Sequence, residues 1–277
     1  MMLKIKVNQL FREQLAGWEQ LGNNYQALNL VKTKTLNVNG HTYIVQFNPM
    51  RFSSSASVQD CKTISQRPCF LCNANRPEEQ KGIPFKDKYL ILINPYPIFS
   101  RHLTIPTSEH TPQLIASRFD DMLDLAQQLD DFVIFYNGPK SGASAPTHFH
   151  FQAGIKGFLP VENDRDWPYT IRIEATTKQQ LLDRFEQIYH RLPIPPDNDE
   201  PMMNLISWYD EGRWTTLVFP RKKHRPACFW AEGDANMIIT PGAVDMGGVL
   251  ITPLEKDFEK ITAEDIANIL QEVACDV

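Results

Sequence analysis

Apolar and polar positions change period several times along this chain, and each change marks an element. Val7–Leu21 carries Leu10, Leu15 and Trp18 at helical spacing and predicts an N-terminal helix. Leu28–Val38 and Thr42–Phe47 alternate apolar with polar residues around Asn39-Gly40, a dipeptide suited to a tight hairpin turn. Residues 52–68 read as loop, and Tyr89–Asn94 and His102–Pro106 as short apolar strands. A helix is expected from about Pro112, with Thr111 as N-cap, because Ile115, Phe119, Met122, Ala126 and Leu129 form one stripe. Phe132–Tyr136 predicts a strand, Gly138–Ser144 a Gly/Ser-rich loop and Thr147–Ala153 a further strand.

The second half continues in the same manner. Tyr169–Glu174 reads as a strand, and Thr177–Arg191 as a helix with Thr177 and Gln180 in a capping box. Residues 193–201 (PIPPDNDEP) read as a linker. Asn204–Trp208 and Trp214–Phe219 suggest a hairpin around Asp210–Gly212. Val249–Pro253 is a strand, and Thr262–Ala274 a helix opened by Thr262-x-x-Asp265. RHLTIPTSEHTPQLI (101–115) and GGVLITPLEKDFEKI (247–261) share a strand, a proline and a polar step toward a helix, but the second copy has no histidine. An internal duplication with one active copy accounts for that pattern.

Composition narrows the classes. The 277 residues are 42% hydrophobic and 22% charged with a net charge of −5, too apolar and too balanced for a disordered chain. No apolar run approaches the roughly 18–20 residues of a transmembrane helix, so no membrane association is expected. Charges interrupt the opening MMLKIKVNQLFREQ, which leaves no export signal visible. With an odd five cysteines, this favours free thiols in a reducing cytoplasm over a disulfide framework. A pI near 5.8 argues against duplex nucleic acid as partner, and leaves a nucleotide-sized ligand open.

The chemistry concentrates in Tyr136–Gly154, YNGPKSGASAPTHFHFQAG. Period-two alternation sets His148, His150 and Gln152 on one open strand face, with Phe149 and Phe151 turned to the core. The preceding loop, with Gly138, Ser141, Gly142 and Ser144, offers N–H groups and hydroxyls that could wrap a phosphate. A neutral histidine beside such a cradle can attack phosphorus and hold a covalent nucleotidyl group, provided one ring nitrogen is free and the other pinned. Gln152 could then bond phosphate oxygens without giving a proton to a leaving group. The plainer alternative is a solvated strand face. A second constellation is Cys69-Phe70-Leu71-Cys72, which fits a zinc knuckle, a redox pair or chance. Zinc needs two further ligands, and His102, His110 and His148 are the candidates.

Together these residues resemble the histidine-triad superfamily, in the branch that carries glutamine for the third histidine. That branch contains galactose-1-phosphate uridylyltransferase, diadenosine tetraphosphate phosphorylase and GDP-L-galactose phosphorylase. NGPKSGASAP is similar to the phosphate loop of the diadenosine phosphorylases, and HFHFQA to the active-site strand of the GDP-galactose phosphorylases. VQFNPMR (45–51) and residues 247–273 are similar to the latter's early nucleotide-site strand and C-terminal segment. The knuckle is instead of uridylyltransferase type, so the chain fits neither subfamily cleanly.

The resemblance implies an α+β fold of two histidine-triad-like lobes, antiparallel sheets with packed helices. Residues 1–58 would be an N-terminal helix and hairpin joining the nucleotide site, 59–160 the catalytic lobe with its knuckle, and 161–277 a degenerate lobe. It makes His150 the covalent nucleophile and Gln152 the residue supporting the nucleotidylated state. Asn94 falls at the ribose contact, and Asn137 with Ser141, Gly142 and Ser144 at the phosphates; Gln46 and Arg51 join the nucleotide site. Cys69, Cys72, His110 and His148 match structural zinc ligands, with His102 the runner-up for the third. The implied activity is nucleotidyl transfer or phosphorolysis of a nucleoside diphosphate sugar or dinucleoside polyphosphate, with inorganic phosphate or a sugar 1-phosphate as acceptor. Hydrolysis of nucleotide conjugates and non-catalytic nucleotide binding are the alternatives. Dimers are common among the relatives, so a homodimer fits. The basic stretch 221–225 (RKKHR) reads as a solvated turn, or as a phosphate contact through Arg221, since VFPR is similar to a step in the phosphorylases.

Overall fold

The computed structural model describes residues 2–52 and 68–276; Cys61 and the interior of the loop expected over 52–68 lie outside the described residues. Strands β1 (Lys32–Val38) and β2 (His41–Phe47) form the predicted hairpin. Asn39 and Gly40 both take positive φ, 52° and 93°, the paired left-handed conformation that matches the twist of the strands.

Beyond the hairpin come β3 (Gly82–Phe85), β4 (Tyr89–Ile93), β5 (His102–Pro106), β6 (Phe132–Asn137) and β7 (His150–Ile155). The second half adds β8 (Ile171–Ala175), β9 (Met203–Asp210) and β10 (Arg213–Pro220). All eight join one antiparallel sheet in the order β3-β4-β5-β7-β6-β9-β10-β8. Pairing of β6 with β9 is what fuses the two halves of the chain. Strand β11 (Val249–Thr252) goes elsewhere: it lies parallel to β2 and completes a separate three-stranded sheet. The two matched segments of the sequence therefore occupy different places, β5 inside the large sheet and β11 in the small one.

Helices α1 (Leu3–Gly17) and α2 (Glu19–Ala27) replace the single predicted N-terminal helix. The break is at Trp18, whose backbone is extended (φ −122°, ψ 98°) and whose indole is buried. Helix α3 (Phe119–Gln128) starts later than the Thr111-Pro112 signal suggests. Tertiary bonds claim the backbone there first. Thr111 O accepts from Phe149 N, Gln113 O from the Tyr136 hydroxyl, and Ile115 N donates to Glu200. The stripe itself is right, since Ile115, Phe119, Met122, Ala126 and Leu129 are all buried. Helix α4 (Lys178–Arg191) is capped by Thr177 accepting from Gln180 N at 3.4 Å, the side-chain half of a box going unmade. Short helices α5 (Ala243–Met246) and α6 (Glu255–Lys260) precede α7 (Ala263–Val273), where Thr262 and Asp265 do form a reciprocal box.

Alternation along the strands divides the core in two. On β6, Phe132, Ile134 and Tyr136 face a cluster with α1, α3 and α4, while Val133 and Phe135 face the small sheet and α7. On β7 the same rule sends Phe151 and Ala153 toward the helices, so His150 and Gln152 look out on the opposite side. Two readings of irregular segments need correcting. The stretch 193–201 buries Glu200, 2% exposed, and so is not a free linker. In 221–225, Arg221 and Arg225 are buried, which contradicts a solvated turn; only Lys222 and Lys223 are exposed.

Candidate functional site

Strand β7 begins at His150, three residues later than the alternation suggests. His148 precedes it, and its ring turns to the Cys-x-x-Cys turn instead of sharing the strand face. The face is not open either, since His148 and His150 are 0% and 2% exposed. Both rings have defined tautomers. His150 Nδ1 lies 2.9 Å from the His148 carbonyl oxygen, which only accepts, so Nδ1 carries the proton. Burial pushes His150 down to about 4 despite that bond. At neutral pH the ring is uncharged and Nε2 holds the lone pair, the state a phosphorus nucleophile requires.

Gln152 is oriented by His102 from β5. The Ile98 N–H donates to His102 Nδ1 (3.2 Å), so His102 Nε2 is the donor to Gln152 Oε1 at 2.9 Å. Burial, aided by nearby Arg51, lowers His102 to about 3 and keeps it neutral. The Gln152 carbonyl end is thus occupied, and its NH₂ end is the one left for a ligand. Sequence reasoning held His102 in reserve as a metal ligand and missed this part. Its register against Gly154, two positions along the ladder from Thr104–Gln152 and so on the same face, places it there.

His150 and Gln152 line a cavity of about 390 Å³ together with Asn94, Arg51 and Ser144. Further lining comes from Trp18 at the break between α1 and α2, and from residues that periodicity did not single out: Gln20 of α2, Phe70 of the knuckle, and Tyr96. A second space of about 60 Å³ shares Arg51, Ser144 and Gln152 with the first and adds Asn137 and Gly142. Gly142 has φ +91°, and a Cβ there would lie 2.8 Å from Gly242 Cα, so the loop fits only with glycine. Asn94 holds its own turn, accepting from Tyr96 N (2.9 Å) and donating to Thr104 Oγ1 (2.8 Å). Asn137 Oδ1 accepts from Asn204 and from Ala243 N, both at 2.7 Å.

Two predicted site residues stand back from the cavities. Gln46 is buried and reaches the Ile98 carbonyl at 3.4 Å, holding the segment before β5. Ser141 is fully buried, its carbonyl accepting from Asn204, and its hydroxyl has no hydrogen-bond partner among the described residues. Arg221 is also structural in placement, with bonds to five acceptors including Asn204 Oδ1 and the Pro241 and Val273 carbonyls.

Cys69, Cys72, His110 and His148 bring one donor atom each to within 4.8 Å of one another. Cys69 Sγ and Cys72 Sγ lie 3.3 and 3.5 Å from His148 Nδ1, and Cys72 Sγ 3.2 Å from His110 Nδ1. Such edges suit a tetrahedron with metal–ligand bonds of about 2.0–2.3 Å. His148 Nε2 donates to the Thr107 carbonyl at 2.9 Å, which leaves Nδ1 free to ligate. The donor set fits a metal ion, and His102 lies outside it.

Several known proteins are similar to this chain. A profile of the family described as "Domain of unknown function (DUF4922)" matches residues 10–155. The chain is 27% identical over 164 residues to galactose-1-phosphate uridylyltransferase of Clostridium acetobutylicum, covering 50% of this chain and 33% of that protein. It is 28% identical over 165 residues to galactose-1-phosphate uridylyltransferase 1 of Streptococcus pneumoniae, covering 47% and 33%. The match thus spans about a third of the length of these curated relatives. Its fold is similar to that of yeast Ap4A phosphorylase Apa2, with a TM-score of 0.60 over 93% of this chain and 97% of that one at 16% identity. Among the described residues no helix is long and apolar enough to cross a membrane. The chain thus belongs to the DUF4922 family, with sequence similarity to galactose-1-phosphate uridylyltransferases and a fold similar to that of Ap4A phosphorylase.

Proposed function

We propose that the chain catalyses nucleotidyl transfer or phosphorolysis on a nucleoside diphosphate sugar or a dinucleoside polyphosphate. His150 Nε2 attacks the α-phosphorus, the N–P bond forming as the bond to the bridging oxygen breaks. The first product leaves with that oxygen and its electron pair. An oxygen of inorganic phosphate or a sugar 1-phosphate then takes the nucleotidyl group and restores the free ring. The observation that carries this reading is a neutral, Nδ1-protonated His150 whose ring lines a cavity. The names of the curated relatives support transfer, and the yeast phosphorylase of similar fold was solved with Ap4A and with AMP.

In this reading the Gln152 amide holds non-bridging oxygens and, lacking an acidic proton, does little to promote hydrolysis. Asn94 serves the ribose, and Asn137, Ser144, Gly142 and Arg51 serve the phosphates, while Gln46 and Ser141 support the walls behind them. The Cys69, Cys72, His110 and His148 group holds zinc, a structural ion that fastens the knuckle to the start of β7. Residues 1–58 complete the nucleotide site of a catalytic 59–160 lobe, and 161–277 form the inactive one. Among the described residues no cysteine is in a disulfide, and zinc-held Cys69 and Cys72 with free Cys228 and Cys275 suit a reducing cytoplasm.

Intact-protein mass spectrometry with UDP-hexoses, GDP-hexoses, ADP-glucose and diadenosine tetraphosphate, without acceptor, tests the mechanism. A gain of one nucleoside monophosphate, absent in His150→Ala, is expected, and its mass names the base. Turnover that survives His150→Ala overturns the covalent route, and nucleotide binding without any adduct points to a non-catalytic protein.

A further inference from the structure

We propose that Gln113 is a positioning residue for His150, its carboxamide splicing the nucleophile's backbone into the sheet where two strands part. The inference rests on the reading of His150 as nucleophile. The β6–β7 register runs from Phe132↔Ile155 to Phe135↔Gln152, and its continuation sets Asn137 opposite His150. Those two residues do not pair. The Gln113 side chain stands between them, Nε2 donating to the Asn137 and His150 carbonyls at 3.0 Å each. Its Oε1 accepts from His150 N at 2.7 Å. On the other edge His150 is registered against Pro106, which has no N–H to offer. One buried side chain therefore meets both main-chain polar groups of His150.

Gln113 touches neither cavity, so any effect on chemistry passes through the backbone it holds, that of His150 or of Asn137, and a nucleophile supplied from solution separates the two. The ring's aim depends on the backbone of 148–150, because Nδ1 is anchored to the carbonyl two residues back. Gln113 is in turn braced from the far half of the chain. Its carbonyl accepts from the Tyr136 hydroxyl at 2.9 Å, and that hydroxyl also meets the Glu200 carboxyl. The other Glu200 oxygen accepts from Ile115 N at 2.8 Å, two residues beyond Gln113. A residue acting this way lets the strands separate to admit substrate without loosening the nucleophile.

The test compares Gln113→Ala in two backgrounds: the unmutated enzyme, and His150→Gly supplied with free imidazole as diffusible nucleophile. In the first, the rate of adduct formation should drop about 100-fold with the substrate KM changed less than about twofold, since a misplacement near 1 Å costs that much. In the second the same substitution should cost less than about threefold, because the nucleophile no longer hangs on the strand. Equal losses in both backgrounds, or a KM rise that accounts for the loss, overturn the positioning role. If Gln113→Ala does not fold, Gln113→Glu keeps the acceptor and the volume but loses both donations. Nitrogen NMR of its histidine rings should then show His150 leaving the single Nδ1-protonated form, and an unchanged ring overturns the proposal. Failure of the unmutated protein to form any adduct instead overturns the His150 reading itself.

Discussion

His102 gives its Nε2–H to Gln152 Oε1 across 2.9 Å, and this bond decides which end of the Gln152 amide meets a ligand. Without it the amide can turn over and present a carbonyl oxygen to a phosphate, replacing an attraction by a repulsion. His102→Leu should therefore slow nucleotidyl transfer about tenfold or more, an effect the size of one or two charge-assisted hydrogen bonds. Rapid-quench measurement of adduct formation reads it directly. A rate equal to that of the unmutated protein would mean that Gln152 orients itself by other means.

The knuckle is joined to the cavity by two routes. Phe70 and Leu71, between the cysteines, line it, and His148, whose carbonyl fixes the His150 tautomer, is a donor of the metal group. Purified protein is expected to carry about one zinc per chain. Cys72→Ser should lose most of it, lower Tm by ~10 °C or more, and weaken nucleotide binding about tenfold. Elemental analysis, a thermal melt and calorimetric titration check the three in turn. A variant that sheds its metal yet melts and binds normally would reduce the ion to a passenger.

The parts of the site that follow from local pattern were legible in the sequence. Alternation alone separates Phe151 and Ala153 from His150 and Gln152, and Asn39-Gly40 announces the hairpin. What local pattern cannot see is a partner far along the chain. Thr111-Pro112 has good helix-start chemistry, but bonds to Phe149, Tyr136 and Glu200 outweigh a capping preference of about 1 kcal/mol. Glu200 looks like one more acid in a polar linker until residues 136 and 115 are folded against it. Arg221 in a basic run looks solvated, because the acceptors that bury it, on Asn204, Pro241 and Val273, are far along the chain.

Those acceptors make Arg221 a test of structure against chemistry. It is 4% exposed, and its bonds reach Asn204, which itself donates to Asn137 Oδ1 and to the Ser141 carbonyl beneath the Gly138–Ser144 loop. Lysine has three donors on one nitrogen and no planar fork, so Arg221→Lys leaves buried acceptors unmet. A loss of ~3 kcal/mol is expected in urea unfolding, with transfer per folded molecule within a few-fold of normal. A large loss of transfer with stability unchanged would instead make Arg221 a substrate contact.

Glu200 predicts a pH dependence of stability with a definite sign. Its carboxyl is pushed up to about 7 by burial, against the opposing pull of its bonds with the Tyr136 hydroxyl and Ile115 N. In the unfolded chain the same group titrates near its ordinary value of 4.5. Between these values the folded protein holds a proton that the unfolded chain has released, so stability falls as pH rises through this window and levels off above about 7. A shift of that size corresponds to ~3 kcal/mol at most. His102, lowered to about 3, acts in the reverse sense: the unfolded chain protonates first, so its contribution is lost as pH falls below about 6.5. Glu200→Gln separates the two, because glutamine stays neutral, can accept from Ile115 N and can donate to the Tyr136 hydroxyl. The stability difference between variant and unmutated protein should be small at pH 4.5 and grow in the variant's favour toward pH 8, while the His102 dependence cancels. Urea unfolding at pH 4.5, 6, 7 and 8 measures it, and a difference that does not change with pH would show that Glu200 is already ionised in the folded protein.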